Sequence, residues 1–327
     1  MRSRNWRPSS TVRTAITRAR MLEAARRFFA ERTVLEVDTP LLAATTVSDP
    51  HIESIAARLG SRPDKPYFLQ TSPEYFMKRL LCAGFPDMYQ ICKAFRDGEA
   101  GRRHQPEFTL IEWYRRDFGL RRIMEECAGL IAALIEPHLL TSPPLYVEYR
   151  NAFVDHAGSD PEHDTAQQLA KVAGADARMI ESLGGDRDAW LDLVLSLRVI
   201  PKFDRKRLTV LHHYPASQAV LARLCPRNSR VADRFEIFFG DLELANGFVE
   251  LQDAQEQLRR FEKDQAKRRE RGQPLRPLDH LLIAALESGL PGSAGVAVGL
   301  DRLLMINEMS EDIRRVQSFS FDGDQQG

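Results

Sequence analysis

Cysteine is scarce in this sequence, and its four residues stand far apart. Cys82, Cys92, Cys127 and Cys225 form no CxxC pair and show no metal-ligand spacing. This distribution argues against a disulfide framework and against a structural zinc site. Reduced thiols of this kind are typical of cytoplasmic proteins, so we expect a cytoplasmic location.

Net charge and long apolar runs are also missing. The chain carries 46 Lys and Arg against 46 Asp and Glu, so its bulk composition gives no electrostatic reason to expect nucleic-acid binding. The longest apolar run, residues 128–135, is too short to span a bilayer, and we expect no membrane association. Arginine does cluster in the first 27 residues and over residues 259–276, where it forms either a solvated face or a docking surface for an acidic partner.

What the sequence does contain is a well-marked hairpin. Apolar-rich segments from Met88 to Phe95 and from Glu107 to Arg115 predict two antiparallel strands joined by a charged loop. Because side chains alternate along a strand, Phe108, Glu112 and Tyr114 share one face. A buried unpaired carboxylate is costly, so Glu112 suggests function, although an exposed amphipathic hairpin would explain the same pattern.

The rest of the chain alternates helices and strands. We expect helices over residues 11–30, 71–84, 120–134 and 253–271, a strand over 34–42 that ends at Pro40, and helices over 151–200 with boundaries at 164–165 and 184–186. In the second helix Ser72 is the predicted N-cap and Gly84 the C-terminal stop. Strand character returns over 208–215, where neighbouring side chains should point to opposite faces. His212 and His213 therefore favour a structural role over a metal site, since no third ligand is evident.

A second hairpin is predicted over residues 231–251. Its turn should lie at Gly240-Asp241. Glu243 and Glu250 are seven residues apart, so a regular strand would place them on opposite faces. A one-residue bulge at Asn246-Gly247 would bring both to one face, where paired carboxylates suit Mg²⁺. Two solvated edge glutamates are the alternative explanation.

The first hairpin resembles motif 2 of class II aminoacyl-tRNA synthetases of the lysyl type. The matching pattern, Arg-x₇-His-x-Pro-Glu-Phe-Thr-x₂-Glu-x-Tyr, runs from Arg96 to Tyr114, while residues 34–42 resemble motif 1 and residues 292–305 resemble motif 3. The resemblance implies an α+β fold with an antiparallel sheet flanked by helices. It also implies a single catalytic domain over residues 1–327, with a helical insertion at about 151–200 and no N-terminal anticodon-binding domain.

The resemblance also implies site residues. Arg96 would hold the α-phosphate of ATP, Phe108 would stack on adenine and Arg302 would hold the γ-phosphate; Glu243 and Glu250 would hold Mg²⁺. Further nucleotide contacts are expected at Asp97, Gly98, His104, Gln105, Leu244 and Gly299. The amino-acid pocket would be built by Ser72, Pro73, Glu74, Glu112, Tyr114, Glu250 and Ala297. The family usually reads Arg-Asn-Glu where this chain has Arg96-Asp97-Gly98-Glu99, which weakens the expectation for Asp97 and Gly98.

The resemblance, taken together with the short N-terminal segment, also implies an acceptor other than tRNA. Only 33 residues precede motif 1, too few for the five-stranded barrel that reads an anticodon. The chain resembles free-standing lysyl-type ligases that attach (R)-β-lysine to a lysine of elongation factor P, which implies a homodimer and no tRNA partner. Three alternatives stay open: a lysyl-tRNA synthetase paralogue, a ligase that releases a free amino-acid amide, and a non-catalytic regulator.

Overall fold

The computed structural model describes residues 6–321, and the basic residues of positions 1–5 lie outside this range. The chain divides into two compact units, and each is described by itself. The first unit comprises residues 1–117, 133–135 and 252–327, and the second comprises residues 118–132 and 136–251. Among the helices of residues 6–321, none is both long and apolar enough to cross a membrane.

Most of the helices follow the predicted segments closely, but the helix over residues 280–289 was not predicted. Over residues 6–321 they are α1 (Val12–Ala30), α2 (Glu74–Cys82), α3 (Leu120–Leu134), α4 (Tyr149–Ala157), α5 (Ala166–Ala173), α6 (Ala177–Leu183), α7 (Arg187–Val194), α8 (Ala254–Glu270), α9 (His280–Gly289) and α10 (Leu300–Asn307).

Within residues 6–321 the strands lie in four parts of the sequence, over residues 35–116, 145–148, 208–249 and 293–299. They are β1 (Leu35–Glu36), β2 (Leu42–Ala43), β3 (Ala56–Leu59), β4 (Arg62–Leu69), β5 (Met88–Phe95), β6 (Glu107–Arg116), β7 (Leu145–Glu148), β8 (Leu208–His212), β9 (Leu224–Cys225), β10 (Asn228–Ala232), β11 (Arg234–Phe239), β12 (Leu242–Val249) and β13 (Ser293–Gly299). The predicted hairpin is confirmed as β5 and β6, which pair in antiparallel register.

In the first unit, a sheet with the strand order β1-β5-β6-β13 carries the central hairpin. All pairs are antiparallel except β1 with β5. Helix α1 covers this sheet through Phe29, whose ring stacks on Tyr89 at 4.2 Å and meets the edge of Trp113 at 5.3 Å. Aromatic packing of this kind contributes beyond the area that it buries, so the core lies directly behind β5 and β6.

The motif 1 strand is much shorter than we predicted. Instead of one strand over residues 34–42, the structure has the two-residue strands β1 and β2 with Pro40 between them. The amide of Val37 still bonds the carbonyl of Tyr89 at 2.8 Å. Proline has no amide hydrogen to continue such a ladder, so pairing with β5 stops before Pro40, the residue at which the strand was predicted to end.

The start of α2 also differs from the prediction. Ser72 is not the N-cap: the helix begins at Glu74, and Pro73 occupies the cap position without a side-chain cap bond. The Ser72 hydroxyl still accepts a hydrogen bond from the Glu74 amide at 3.1 Å. At the other end, Gly84 adopts a φ of +88°, which confirms it as the residue that stops the helix.

The second unit combines a sheet of order β12-β11-β8-β7 with the predicted group of short helices. Thr165 caps α5 in a capping box and Asp186 caps α7, so both predicted boundaries are confirmed. The helices bury Tyr149, Phe153 and Trp190 in one apolar core.

Two predictions based on exposed charge and on strand alternation were wrong. In α8, Arg268 is fully buried and donates twice to Glu53 Oε1 at 2.7 Å, so this arginine does not lie on a solvated face. After β8, His213 has a left-handed φ of +58°. This conformation turns its ring toward His212 rather than to the opposite face, and the two Nδ1 atoms lie 2.9 Å apart.

Candidate active site

A buried carboxylate lies at the centre of the first unit. Glu112, on β6, is 2% exposed. Ser72 Oγ donates to its Oε2 and Tyr114 Oη donates to its Oε1, each at 2.8 Å. The structure therefore brings together three residues that were predicted to line the amino-acid pocket, and it fixes both oxygens of the carboxylate.

Burial raises the pKa of Glu112 to about 7, and the negative charge of Glu74 adds to this rise. The hydrogen bonds from Ser72 and Tyr114, together with the charge of Lys78, oppose it. A carboxyl group with this pKa exists in both protonation states near neutral pH. An approaching ammonium group would favour the charged form, so the arrangement can bind a cation and release a proton.

A buried lysine, which the sequence analysis missed, completes this cluster. Lys78 is 2% exposed, and its Nζ lies 2.6 Å from Glu74 Oε1. The two residues are four apart on α2, a spacing that is common in exposed helical ion pairs, so the burial of Lys78 could not be predicted from this spacing. Because Lys78 already neutralises one carboxylate, Glu112 supplies the remaining negative charge of the cluster.

Ala297 lies next to Glu112 in the sheet. It is the residue of β13 directly opposite Glu112 in the antiparallel register. Opposed residues on neighbouring strands have their side chains on the same face, so the Ala297 methyl group is beside the carboxylate. This placement agrees with the predicted role of Ala297 in the pocket wall.

Arg96 follows β5 and faces the aromatic ring that was predicted to stack on adenine. Its guanidinium carbon lies 5.1 Å from the centre of the Phe108 ring, and Nη1 lies 3.6 Å from Glu99 Oε1. The loop then turns at Gly98, whose φ of +75° favours glycine, and the Gly98 amide donates to Asp97 Oδ1 at 2.9 Å. Asp97 is therefore engaged in the turn itself.

The opposite end of the loop contacts the motif 3 helix. Arg302, in the first turn of α10, has its Nη2 2.7 Å from His104 Nε2. Gln105 is 2% exposed. Its side-chain Nε2 donates to the His104 carbonyl at 3.0 Å, and its Oε1 accepts from the Phe321 backbone amide at 2.9 Å. The structure thus joins Arg302 and His104, whereas the Gln105 side chain bonds backbone groups. The predicted contact of Gln105 with the nucleotide stays a prediction.

A second ion pair that sequence reasoning missed joins α1 to α10, and its carboxylate also bonds the backbone of β6. Asp301 is 2% exposed. One of its oxygens accepts from Arg18 Nη1 at 2.5 Å, and the other accepts from the Thr109 amide at 2.7 Å. Arg18 also donates to the Thr109 hydroxyl at 2.6 Å. The prediction of a solvated face was therefore wrong for this arginine of α1. Thr109 and Asp301 directly adjoin Phe108 and Arg302 in the sequence, so the network holds the backbone beside both residues.

In the second unit, the two predicted metal ligands lie on and directly after β12: Glu243 is within the strand and Glu250 follows it. The turn at Gly240-Asp241 is confirmed, but the bulge is not at Asn246-Gly247: the register shifts between Ala245 and Glu243, so Leu244 is the extra residue. Asn246 pairs regularly with its partner on β11. Because of this shift, Glu243 lies on the same face of the strand as Asn246. Regular alternation from Asn246 places Glu250 on that face as well.

This face of the second unit is strongly acidic. Glu250 is 1% exposed and Glu243 is half-buried. Burial raises the pKa of Glu236 on β11 to about 7; the charge of Arg234 opposes this rise, and the charge of Glu243 adds to it. Carboxylate oxygens are the ligands that Mg²⁺ prefers, so the donor set fits this ion. Leu244 is buried, and its predicted nucleotide contact, like that of Gly299 at the start of α10, stays a prediction.

Comparison with known proteins agrees with the motifs. Residues 1–322 match the model of the family "tRNA synthetases class II (D, K and N)". The chain is 42% identical to an elongation factor P–(R)-β-lysine ligase from Edwardsiella ictaluri over 322 residues, which are 97% of this chain and 98% of that protein. Proteins of the same name from Klebsiella pneumoniae and Salmonella gallinarum are 42% and 41% identical, with the same coverage of 97% and 98%. This chain therefore belongs to the class II tRNA synthetase family of the D, K and N type.

Proposed function

We propose that this protein uses ATP to activate (R)-β-lysine, or lysine, as an aminoacyl-adenylate and transfers it to the ε-amine of a lysine on translation elongation factor P. The observation that carries this proposal is the buried Glu112 carboxylate, held by Ser72 and Tyr114 on the strand that also carries Phe108. Relatives named for this reaction, which match nearly the whole chain, support it.

The amino acid would be recognised by its ammonium groups. Glu112 would bind one of them, with Glu74 and the Tyr114 hydroxyl beside it, and Pro73 would line the pocket; the expected contact from Glu250 stays a prediction. The extra methyl group of Ala297, opposite Glu112, would favour β-lysine over α-lysine. One carbon in a pocket is worth about 1–3 kcal/mol, so this preference is a matter of degree.

The nucleotide would be held mainly by two arginines. Arg96 would bind the α-phosphate and Arg302 the γ-phosphate, since a guanidinium stays charged and can bind two oxygens at once. Phe108 would stack on adenine. Glu243 and Glu250 would hold Mg²⁺, which would neutralise phosphate charge as pyrophosphate departs.

Two balanced displacements make up the reaction. The amino-acid carboxylate attacks the α-phosphorus, a C–O–P bond forms, and pyrophosphate leaves. The ε-amine of the acceptor lysine then attacks the carbonyl carbon of the adenylate, an amide bond forms, AMP leaves and the amine gives up a proton. Arg96 and Arg302 contribute placement and charge stabilisation, which supply most of the acceleration in transfers of this kind.

The proposal includes a cytoplasmic homodimer that does not charge tRNA. Leu35 and Leu41 are 45% and 40% exposed around the motif 1 strand, and Phe85 is 39% exposed. Exposed apolar side chains of this size suit an interface between two copies. Light scattering on the purified protein should give twice the mass of one chain, and Leu35→Glu should shift it toward the monomer.

Pyrophosphate exchange and intact mass spectrometry test the two half-reactions separately. Exchange is measured with (R)-β-lysine, with α-lysine and with no amino acid, and elongation factor P is weighed after incubation. We expect exchange that prefers β-lysine and a mass increase of one lysyl unit. Arg302→Ala should lower exchange about 100-fold or more, whereas the matched control Arg58→Ala, an exposed arginine on β3, should leave it unchanged.

Each other outcome contradicts a definite part of the proposal. Exchange without a mass increase would rule out elongation factor P as the acceptor, and charging of tRNA under the same conditions would favour the lysyl-tRNA synthetase alternative. Release of AMP with a small amine would favour a ligase that makes free amides. No exchange with any amino acid would overturn the activity altogether and favour a regulator.

A further inference from the structure

A group of metal-ligating side chains lies in the second unit, apart from the residues of the proposed reaction. Glu148 ends β7 and His212 ends β8, and the two are direct partners in the parallel register of these strands. The next residue, His213, brings a second imidazole to the same place. One ligand atom from each of the three residues lies within 4.8 Å of the others.

The backbone of His213 explains this arrangement. Its φ of +58° is left-handed, a conformation that is uncommon for residues other than glycine and is associated with functional strain. The conformation is held by a hydrogen bond from the His213 amide to the Arg234 carbonyl at 2.9 Å. As a result, the Nδ1 atoms of both rings face each other at 2.9 Å instead of pointing apart.

The distances between ligand atoms lie near the separation that a tetrahedral ion requires. With metal–nitrogen and metal–oxygen distances of about 2.0–2.2 Å, neighbouring ligand atoms are separated by about 3.3–3.6 Å. His213 Nδ1 lies 3.8 Å from Glu148 Oε1 and 2.9 Å from His212 Nδ1, values on either side of this separation. The Glu148 side chain is 53% exposed, so an ion can reach the site from solvent.

A buried carboxylate stands behind the ring of His213. Asp233 has a side chain that is 5% exposed, and its Oδ1 lies 3.8 Å from His213 Nε2, on the far side of the ring from His212. Arg223 Nε donates to the other oxygen of Asp233 at 2.8 Å. A carboxylate at the second ring nitrogen is the usual means of orienting a metal-bound histidine.

We propose that Glu148, His212 and His213 form a binding site for a divalent transition-metal ion of the zinc type, with water as the fourth ligand and Asp233 as the residue that orients His213. The ligand set of two imidazoles and one carboxylate suits Zn²⁺ better than Mg²⁺, which prefers oxygen ligands. The ion would join the ends of β7 and β8, and its role would be structural.

A second combination, His213 with Cys225 and Asp233, also lies within ligand distance. It is less suitable because Arg223 already binds Asp233, so a cation there would meet a positive charge at close range. The charge of Arg121 also acts on His212, but it repels a cation at the proposed site much less than Arg223 would at the other one. Its side chain is 67% exposed and is paired with Glu125 at 2.5 Å, and solvent screens such charges.

The test uses the full-length protein, freed of metal by a chelator and kept in excess Mg²⁺ without nucleotide. Isothermal titration with Zn²⁺ should give one ion per chain, and Co²⁺ should give the visible absorption of a tetrahedral site. His213→Ala and Glu148→Gln should each remove this binding, and Asp233→Asn should weaken it about tenfold or more. Cys225→Ser and His138→Ala, a change of an exposed histidine in the same unit, are the matched controls and should bind as the unchanged protein does.

Three results would overturn the proposal. The first is absence of stoichiometric Zn²⁺ binding by the unchanged protein, and the second is binding that survives Glu148→Gln. The third is binding that is lost in Cys225→Ser with a thiolate charge-transfer band in the Co²⁺ spectrum, which would assign the other combination. Far-UV circular dichroism of each metal-free variant separates loss of ligand from loss of fold, and Glu148→Gln, at a half-exposed side chain, is the variant least prone to unfold.

Discussion

The pH dependence of amino-acid binding gives the most direct test of the pocket around Glu112. Burial raises the pKa of this carboxyl group from 4.5 to about 7, and an ammonium group binds only its ionised form. Below about pH 7 each bound ammonium must therefore displace a proton. The dissociation constant of (R)-β-lysine should rise about tenfold for each pH unit below this point and be constant above it.

Calorimetry measures both the affinity and the proton. Titrations between about pH 5.5 and about pH 8.5, in buffers of different ionisation enthalpy, give the number of protons released, which should approach one below pH 7 and zero above it. Tyr114→Phe is the informative variant: it removes a hydrogen bond that lowers the pKa of Glu112, so the transition should move to higher pH. Glu112→Gln should weaken binding and remove this transition. A dissociation constant that does not change with pH in the unchanged protein would refute the reasoning.

The same pKa shift makes the folded protein less stable as the pH rises, whereas it makes amino-acid binding tighter. Because the folded-state pKa of Glu112 lies above the ordinary value, the folded protein holds this proton more tightly than the unfolded chain does. The stabilising contribution is complete below about pH 4.5 and is lost as the pH rises through about 7. At about 1.4 kcal/mol per pKa unit, the loss is on the order of 3 kcal/mol. The difference in the free energy of unfolding between the unchanged protein and Glu112→Gln isolates it.

Three further substitutions test other parts of the structure. Asp301→Ala leaves the partly exposed Arg18 guanidinium and the Thr109 amide without their acceptor, so urea unfolding should show a loss of about 2–3 kcal/mol. The control Glu23→Ala, at an exposed ion pair, should change stability by less than about 1 kcal/mol. Gly98→Ala forces alanine to a φ of +75° and should cost about 1 kcal/mol or more; Gly101→Ala, at a glycine without positive φ and with open space, should be nearly neutral. Ala297→Gly should improve activation of α-lysine relative to β-lysine; an unchanged ratio of kcat/KM would contradict the role of the methyl group.

Local signals in the sequence were sufficient for most helices and for the central hairpin. The strands β5 and β6 follow from alternation, and the caps at Thr165 and Asp186 depend on side chains within three residues. The bulge on β12 was different. The Asn246-Gly247 pair suggested it locally, but both residues pair regularly with β11 and the extra residue is Leu244. Register depends on the partner strand, which lies outside any local pattern.

Charge was the least predictable property. Arg18, Lys78 and Arg268 were read as surface residues or not singled out, because charged side chains usually face water. Each is paired in the structure with a carboxylate: Arg18 with Asp301, Lys78 with Glu74 and Arg268 with Glu53. Where the partner is hundreds of positions away, no spacing rule can indicate it. The family resemblance supplied the residues that would touch substrate but not those that hold them.

The network at Asp301 also limits when, during synthesis, this protein can become active. Arg18 and Thr109 are separated by 91 residues, and both contact a carboxylate that lies 283 and 192 residues downstream, respectively. Contacts between such distant residues close late, because the intervening chain must be ordered first. A ribosome synthesises the chain from its N-terminus. The contacts of α1 and β6 with Asp301 can therefore form only after almost the whole sequence has been made, and the backbone beside Phe108 and Arg302 is held only then. Partly made chains would therefore lack an ordered backbone at two of the proposed nucleotide-binding residues, Phe108 and Arg302.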